Sequence, residues 1–184
     1  MSEIPTLETD RLILRPFTLA DAPAVQRLAG AREVASTTLN IPHPYPDGAA
    51  EQWIAKHQEV FAKGEALELA VTRRADGALV GAMGLRLEVE HARAELGYWI
   101  GTPYWGRGYG TEAAGAVVRY GFEALGLNRI YACHLVRNPA SGRVMQKIGM
   151  AYEGCQRGHL RKWGQFEDVA LYGILKEEYE ARQG

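Results

Sequence analysis

The spacing of apolar positions changes several times along the chain, and each change marks an element. Arg11-Leu12-Ile13-Leu14-Arg15 alternates and predicts a first strand. Thr18 followed by Asp21 has the spacing of a capping box and predicts a helix running to about Ala29. Residues 40–47 carry three prolines and predict a loop; Asp47 then stands as the cap of a second helix reaching Lys63, with Gly64 as its stop. Leu67, Leu69 and Val71 alternate, Asp76-Gly77 supplies a hairpin turn, and Leu79–Leu87 returns as the partner strand. After His91-Ala92-Arg93 a further strand, Ala94–Ile100, runs into a glycine-rich loop over 101–110. A helix leaves at Thr111-Glu112 and ends near Leu125, before Gly126. Arg129–Val136 predicts another strand, and Asn138-Pro139 a short helix with a cap and a proline at its first position, closed by Gly149. Tyr152–Leu160 and Phe166–Leu175 predict two last strands around a turn at Trp163-Gly164. The order β-α-α-β-β-β-α-β-α-β-β predicts one α/β domain over residues 1–184, with a mixed central sheet of about seven strands flanked by helices.

Composition narrows the classes. With 184 residues, 47% hydrophobic and 23% charged, the chain is neither disordered, collagen-like nor a coiled coil. A net charge of −1 gives no global attraction to nucleic acid or anionic lipid, so neither is expected as a partner. Met1-Ser2-Glu3-Ile4-Pro5 has no basic or apolar signal region, and a cytoplasmic protein is expected. Cys133 and Cys155 sit in no metal-ligand spacing; two reduced thiols and no metal are expected.

Gly106-Arg107-Gly108-Tyr109-Gly110-Thr111 lies between a strand and a helix start. Glycines let the backbone turn tightly and converge its N–H groups, and the first N–H groups of a helix have no internal acceptor. Such a loop can cradle a pyrophosphate, with Arg107 adding charge; it can equally be a plain glycine turn. No Gly-Lys-Ser/Thr follows, so it is not a nucleotide-hydrolase loop, and the spacing is not that of a dinucleotide fingerprint.

Segment 94–112, Ala-Glu-Leu-Gly-Tyr-Trp-Ile-Gly-Thr-Pro-Tyr-Trp-Gly-Arg-Gly-Tyr-Gly-Thr-Glu, resembles the acetyl-CoA-binding motif of the GNAT superfamily of N-acetyltransferases, Gln/Arg-x-x-Gly-x-Gly/Ala. Gly108 and Gly110 fit this pattern, and Trp105 departs from its first position. The Tyr-Trp-Gly start is similar to the RimJ/RimL-like branch, which acetylates ribosomal-protein N-termini, and the likeness extends from Glu8-Thr9-Asp10-Arg11-Leu12 to Tyr172. It implies acetyl-CoA as cosubstrate. Backbone amides of 106–111 would hold its diphosphate, and Tyr98, Trp99 and Ile100 would pair with the pantetheine arm, a main-chain N–H there polarising the acyl oxygen.

Asn138-Pro139-Ala140-Ser141, with Val144-Met145, Lys147 and Ile148-Gly149-Met150, is similar to the family's later motif. There Asn138 would steady the pantetheine arm. Met145 stands where many members have a proton-donating tyrosine, and Ser141 stands where the RimJ/RimL-like branch carries a serine that takes this role. Ser141, Met145 and Ile148 share one helix face by spacing, which turns Ser141 toward the sheet. Ser141 could instead satisfy only a nearby backbone group.

Amine attack needs a base. Glu95, on the strand entering the loop, is the first candidate; it lies about one residue from the family's usual place, an offset a β-bulge would absorb. It could equally be a salt-bridged surface glutamate. His159 or water are the alternatives. Tyr45 and Trp163 are expected to wall the acceptor pocket, by family analogy. The resemblance implies transfer of acetyl to a primary amine, with a protein N-terminal α-amine as the leading acceptor. A small-molecule amine (polyamine, aminoglycoside or amino acid) and a non-catalytic acyl-CoA-binding regulator are the rivals. Monomer and homodimer are equally compatible with the sequence.

Overall fold

The alternating segments assemble into one eight-stranded sheet in the computed structural model, which describes residues 3–183. Its strands are β1 (Leu7–Glu8), β2 (Leu12–Arg15), β3 (Ala66–Arg73), β4 (Leu79–Glu88), β5 (Arg93–Ile100), β6 (Arg129–Leu135), β7 (Ala151–Lys162) and β8 (Gln165–Leu175). They lie in the order β1-β2-β3-β4-β5-β6-β8-β7. Every pair is antiparallel except β5 and β6, so the sheet is mixed, as expected. The helices are α1 (Ala22–Ala29), α2 (Arg32–Thr37), α3 (Ala49–Ile54), α4 (His57–Ala62), α5 (Tyr109–Glu123), α6 (Pro139–Lys147) and α7 (Lys176–Ala181).

The period of two along each strand sorts side chains onto two faces. Leu67 and Leu69 of β3, Met83 and Leu85 of β4, and Leu96 of β5 pack with Ala113, Val117 and Phe122 of α5. Ala70, Ala82 and Trp99 pack on the other face with Val25 and Leu28 of α1 and Ile54 of α3. Polar residues that share a parity with these positions are thereby directed to the same face.

Four local expectations change. The sheet has eight strands rather than about seven, because β1 is a two-residue strand held by Leu7 opposite Leu14, too short to show alternation. The helix expected over 47–63 is two helices, joined by a tightened turn in which Lys56 N–H reaches Trp53 O. Its cap is Gly48, in the left-handed region, while Asp47 accepts a hydrogen bond from Gln26 Nε2 at 2.8 Å. α2 and α7, six residues each, are too short for a helical period to stand out. The Thr18–Asp21 pairing does form: Asp21 Oδ2 accepts the Thr18 N–H at 2.8 Å, and both its oxygens take Arg15 as well.

The junction of α3 and α4 creates an aromatic cluster. His57 stacks edge-on against Trp53, with ring centroids 4.4 Å apart, and lies 5.4 Å from Phe17. Both its ring nitrogens are buried without a hydrogen-bond partner among the described residues. Burial penalises the charged imidazolium and pushes the His57 pKa from 6.5 down to about 4. The folded form therefore resists protonation where the unfolded chain accepts it, so stability is full above about pH 6.5 and declines as pH falls toward 4. Denaturant titrations from pH 7 to pH 4 should show a loss of about 3 kcal/mol attributable to this residue. In His57→Phe that part of the slope should be absent; an identical slope in both proteins would contradict it.

Candidate active site

The loop from Gly101 to Gly108 closes β5 and opens α5. Gly106 and Gly108 have φ of 73° and 79°, a region that strains any residue with a Cβ. The two turns leave a run of backbone donors without acceptors: no N–H from Gly106 to Thr111 is bonded among the described residues, and the first intrahelical bond is Glu112 N–H to Gly108 O at 3.1 Å. This donor run at a helix N-terminus suits a diphosphate.

The loop is held from the turn between β1 and β2. Glu112 Oε1 accepts the Thr9 hydroxyl at 2.6 Å and the Arg11 N–H at 2.9 Å, while Arg11 Nε donates to Glu112 Oε2 at 2.7 Å. Arg11 Nη1 also donates to the Arg107 carbonyl at 2.9 Å, and its guanidinium lies over the Tyr109 ring. Arg11 thus neutralises the one acidic side chain in the first turn of α5 and pins the loop's shape.

Strands β5 and β6 pair only at Arg93–Glu95 against Arg129–Tyr131. Beyond Glu95 they part, and the edge of β5 facing β6 is left without a strand partner from Leu96 onward. The gap opens into a cleft of about 370 Å³. Its lining contains Tyr98, Trp99, Ile100, Gly106, Gly108, Tyr109, Gly110, Thr111, Asn138 and Ser141, which the sequence singled out. Arg107 is exposed, and its side chain is outside the lining.

α6 closes the other side. Gly142 lets it settle on β6, where an added Cβ would lie 2.7 Å from His134 Nε2. Met145 is buried in the core and lends no proton donor. Asn138 occupies the cap position of α6, yet its side chain makes no capping hydrogen bond, so its amide is left for the cleft. Ser141 Oγ lies 2.6 Å from Tyr98 Oη, a side-chain bridge from β5 to α6. Burial pushes the Tyr98 phenol up to about 12, so it stays protonated and can donate to Ser141. Burial likewise lifts the Cys133 thiol to about 11.

The remaining candidates lie elsewhere. Glu95 is ion-paired with Arg86 on β4, and its other oxygen faces the Cys133 thiol at 3.6 Å. No bulge interrupts β5, whose register with β4 is continuous, so the supposed offset is not absorbed. His159 is exposed on β7 and outside the cleft lining. Tyr45 packs with the α1–α3 cluster beside Gly30, and Trp163 sits 6.0 Å from His43 at the hairpin tip; neither lines the cleft. On that side the cleft is lined by Val34 and Thr37 of α2, a helix absent from the sequence expectation, and by Thr38 just beyond its end. Arg143 and Lys147 were also missed as cleft residues. Their i,i+4 spacing after Ser141 was the available signal for a cationic rim.

A sheet parted between two strands, with a donor-lined glycine loop at its mouth, is fitted to a ligand with a diphosphate at one end and an extended arm at the other. Residues 11–151 match the family described as acetyltransferase (GNAT) domain. YoaA of Bacillus subtilis (strain 168), an uncharacterized N-acetyltransferase, is 35% identical over 173 residues, 94% of this chain and 97% of its own. The ribosomal protein uS5-alanine N-acetyltransferase of Escherichia coli (strain K12) is 31% identical over 84 residues, 46% of this chain and 43% of its own. Among solved structures, the GNAT-family acetyltransferase from Bacillus anthracis matches with a TM-score of 0.84 at 26% identity, covering 94% of this chain and 99% of that one. The chain belongs to the GNAT family and is an acetyl-CoA-dependent N-acetyltransferase. Among the described residues no helix is long and apolar enough to cross a membrane, and no His/Cys/Asp/Glu group is gathered to hold a metal ion.

The cradle yields a direct test. A Cβ at Gly108 would strain a φ of +79° and come within 3.3 Å of Arg11 Nη2. Gly108→Ala should weaken coenzyme A binding about tenfold by calorimetry, matching ~1–2 kcal/mol of backbone strain. Unchanged affinity would remove the loop from coenzyme binding.

Proposed function

We propose that this enzyme acetylates a protein N-terminal α-amine, with Ser141 as the proton donor to the departing thiolate. The observation that carries the acceptor assignment is the charge of the cleft. None of its lining residues is acidic, and its charged members are Arg143 and Lys147. A polyamine carries several cations and calls for facing carboxylates; a chain terminus carries one. The α-amine is also the easier nucleophile: at pH 7 its deprotonation costs ~1 kcal/mol, against ~4–5 for a lysine side chain. The uS5-alanine enzyme, whose name specifies an alanine nitrogen of a protein, is consistent with the same choice.

In this mechanism the amides of 106–111 hold the diphosphate, and the free edge of β5 meets the pantetheine arm. Arg143 and Lys147 supply positive charge at the rim, and Asn138 steadies the arm. As the amine attacks, the C–N bond forms and the C–S bond breaks; Ser141 Oγ–H gives its proton to sulfur, the amine's excess proton leaves to a base or water, and a solvent proton restores the serine hydroxyl. Tyr98 Oη–H, within reach of both the Ser141 carbonyl and Oγ, can turn to the serine oxygen as it loses its proton to sulfur.

Thiol release should be followed with peptides beginning in Ser or Ala, the same peptides N-terminally blocked, spermidine and an aminoglycoside. Turnover of free-terminus peptides at least tenfold above the others supports the proposal. Preference for spermidine or the aminoglycoside would make this a small-molecule enzyme, and tight coenzyme binding with no acetylation would make it a regulator. Ser141→Ala should lower kcat on the order of 10²-fold and leave acetyl-CoA affinity within about twofold. An unchanged kcat would remove Ser141 from the chemistry.

A further inference from the structure

Glu68 of β3 is an isolated carboxylate. Among the described residues it makes no hydrogen bond and no ion pair, although it is only partly exposed. Its neighbours across the sheet are both glycines: Glu68 is opposite Gly84 on β4, and Gly84 is opposite Gly97 on β5. A Cβ at Gly84 would come within 2.5 Å of Glu68 Oε2, so the carboxylate lies over Gly84. That position is about one strand spacing, ~4.8 Å, from Gly97. Gly97 lines the cleft, is exposed, and has nothing within 4 Å of where its Cβ would stand. The two glycines therefore leave an open path over the sheet from the Glu68 carboxylate to the edge of β5.

We propose that Glu68 is the general base of acetyl transfer, taking the amine proton across Gly97 directly or through one water. The C–N bond forms, the N–H proton passes to Glu68 Oε2, and the C–S bond breaks with the thiolate protonated separately. The protonated Glu68 then returns its proton to solvent. The assignment rests on acetyl transfer to an amine and holds for a peptide or a small-molecule acceptor alike. It moves the role first considered for Glu95 to a residue whose oxygens are free, since Glu95 is engaged by Arg86 and Cys133.

Elsewhere on the sheet Arg93 is held by Glu88, and the Lys162 ammonium of β7 is taken by the Leu39 and Ile41 carbonyls. Arg86 is held by Glu95 and Arg15 by Asp21, and His57 of α4 is buried uncharged. Burial alone raises the Glu68 carboxyl from 4.5 to about 7, the range in which a base works at neutral pH.

The test compares Glu68→Gln and Glu95→Gln with wild type, using whichever peptide or spermidine in the acceptor panel turns over. Glu68→Gln should lower kcat on the order of 10²-fold, leave acetyl-CoA affinity within twofold, and abolish an acid limb of kcat near pH 7. It should melt no lower than wild type at pH 8, because the fold loses an unpaired anion; this separates lost chemistry from lost structure. Glu68→Asp, which withdraws the carboxylate by one methylene, should retain the limb with partial activity. A Glu68→Gln enzyme with kcat within threefold of wild type overturns the proposal. So does a rise in acceptor KM alone, which would mean that Glu68 only recognises the cation. Loss of the acid limb in Glu95→Gln but not in Glu68→Gln would return the base to Glu95. Independently of any acceptor, a carbon-13 carboxyl titration should show one glutamate signal with a midpoint near 7 that is missing in Glu68→Gln; its absence from wild type would also overturn the assignment.

Discussion

A backbone N–H must find an acceptor, and this fold withholds acceptors from two stretches that line one cleft. One is the run from Gly106 to Thr111, and the other is the edge of β5 beyond Glu95. Both are main-chain features, so they do not depend on the identity of a side chain at Trp105. They do depend on conformation. Gly106 and Gly108 must enter the left-handed region, and β5 and β6 must separate after three paired residues. A ligand with a diphosphate at one end and an amide-rich arm at the other completes both stretches.

The rest of the molecule keeps these groups where they are. Thr9 and Arg11, from the turn between the first two strands, reach across to Glu112 and fix the start of α5. The contact spans about a hundred residues of sequence, so the cradle is a property of the folded sheet rather than of the loop alone. On the far side, α6 is seated by Gly142 against His134 and by Met145 in the core. That seating brings Ser141 to Tyr98. Small residues at close approaches and a large apolar anchor place one hydroxyl over the gap, a division of labour between packing and chemistry.

The opposite face shows how register creates a site. Glu68 breaks the apolar run Leu67–Val71 and in sequence looks like an ordinary outward position of a strand. Only the pairing of β3 with β4 and of β4 with β5 lines it up with Gly84 and Gly97. Glu95 illustrates the converse. It sits on the expected strand near the expected place, yet Arg86, directly opposite on β4, captures its carboxylate.

Features governed by near neighbours were legible without coordinates. The glycine loop, the helix starting at it, the Asn138-Pro139 start and the Thr18–Asp21 pairing all follow from residues within a few positions of one another, because turns and caps are local hydrogen-bonding problems. The acetyltransferase resemblance rested on those same local motifs. Which charged groups are free, which are paired, and which residues wall the cleft were decided by contacts between distant segments. Thr37 and Thr38 became lining residues through a helix too short to announce itself, while Tyr45 and Trp163 turned to other neighbours. A carboxylate's chemistry is set by the charges and burial around it, and those belong to the assembled sheet, not to the order of residues along one strand.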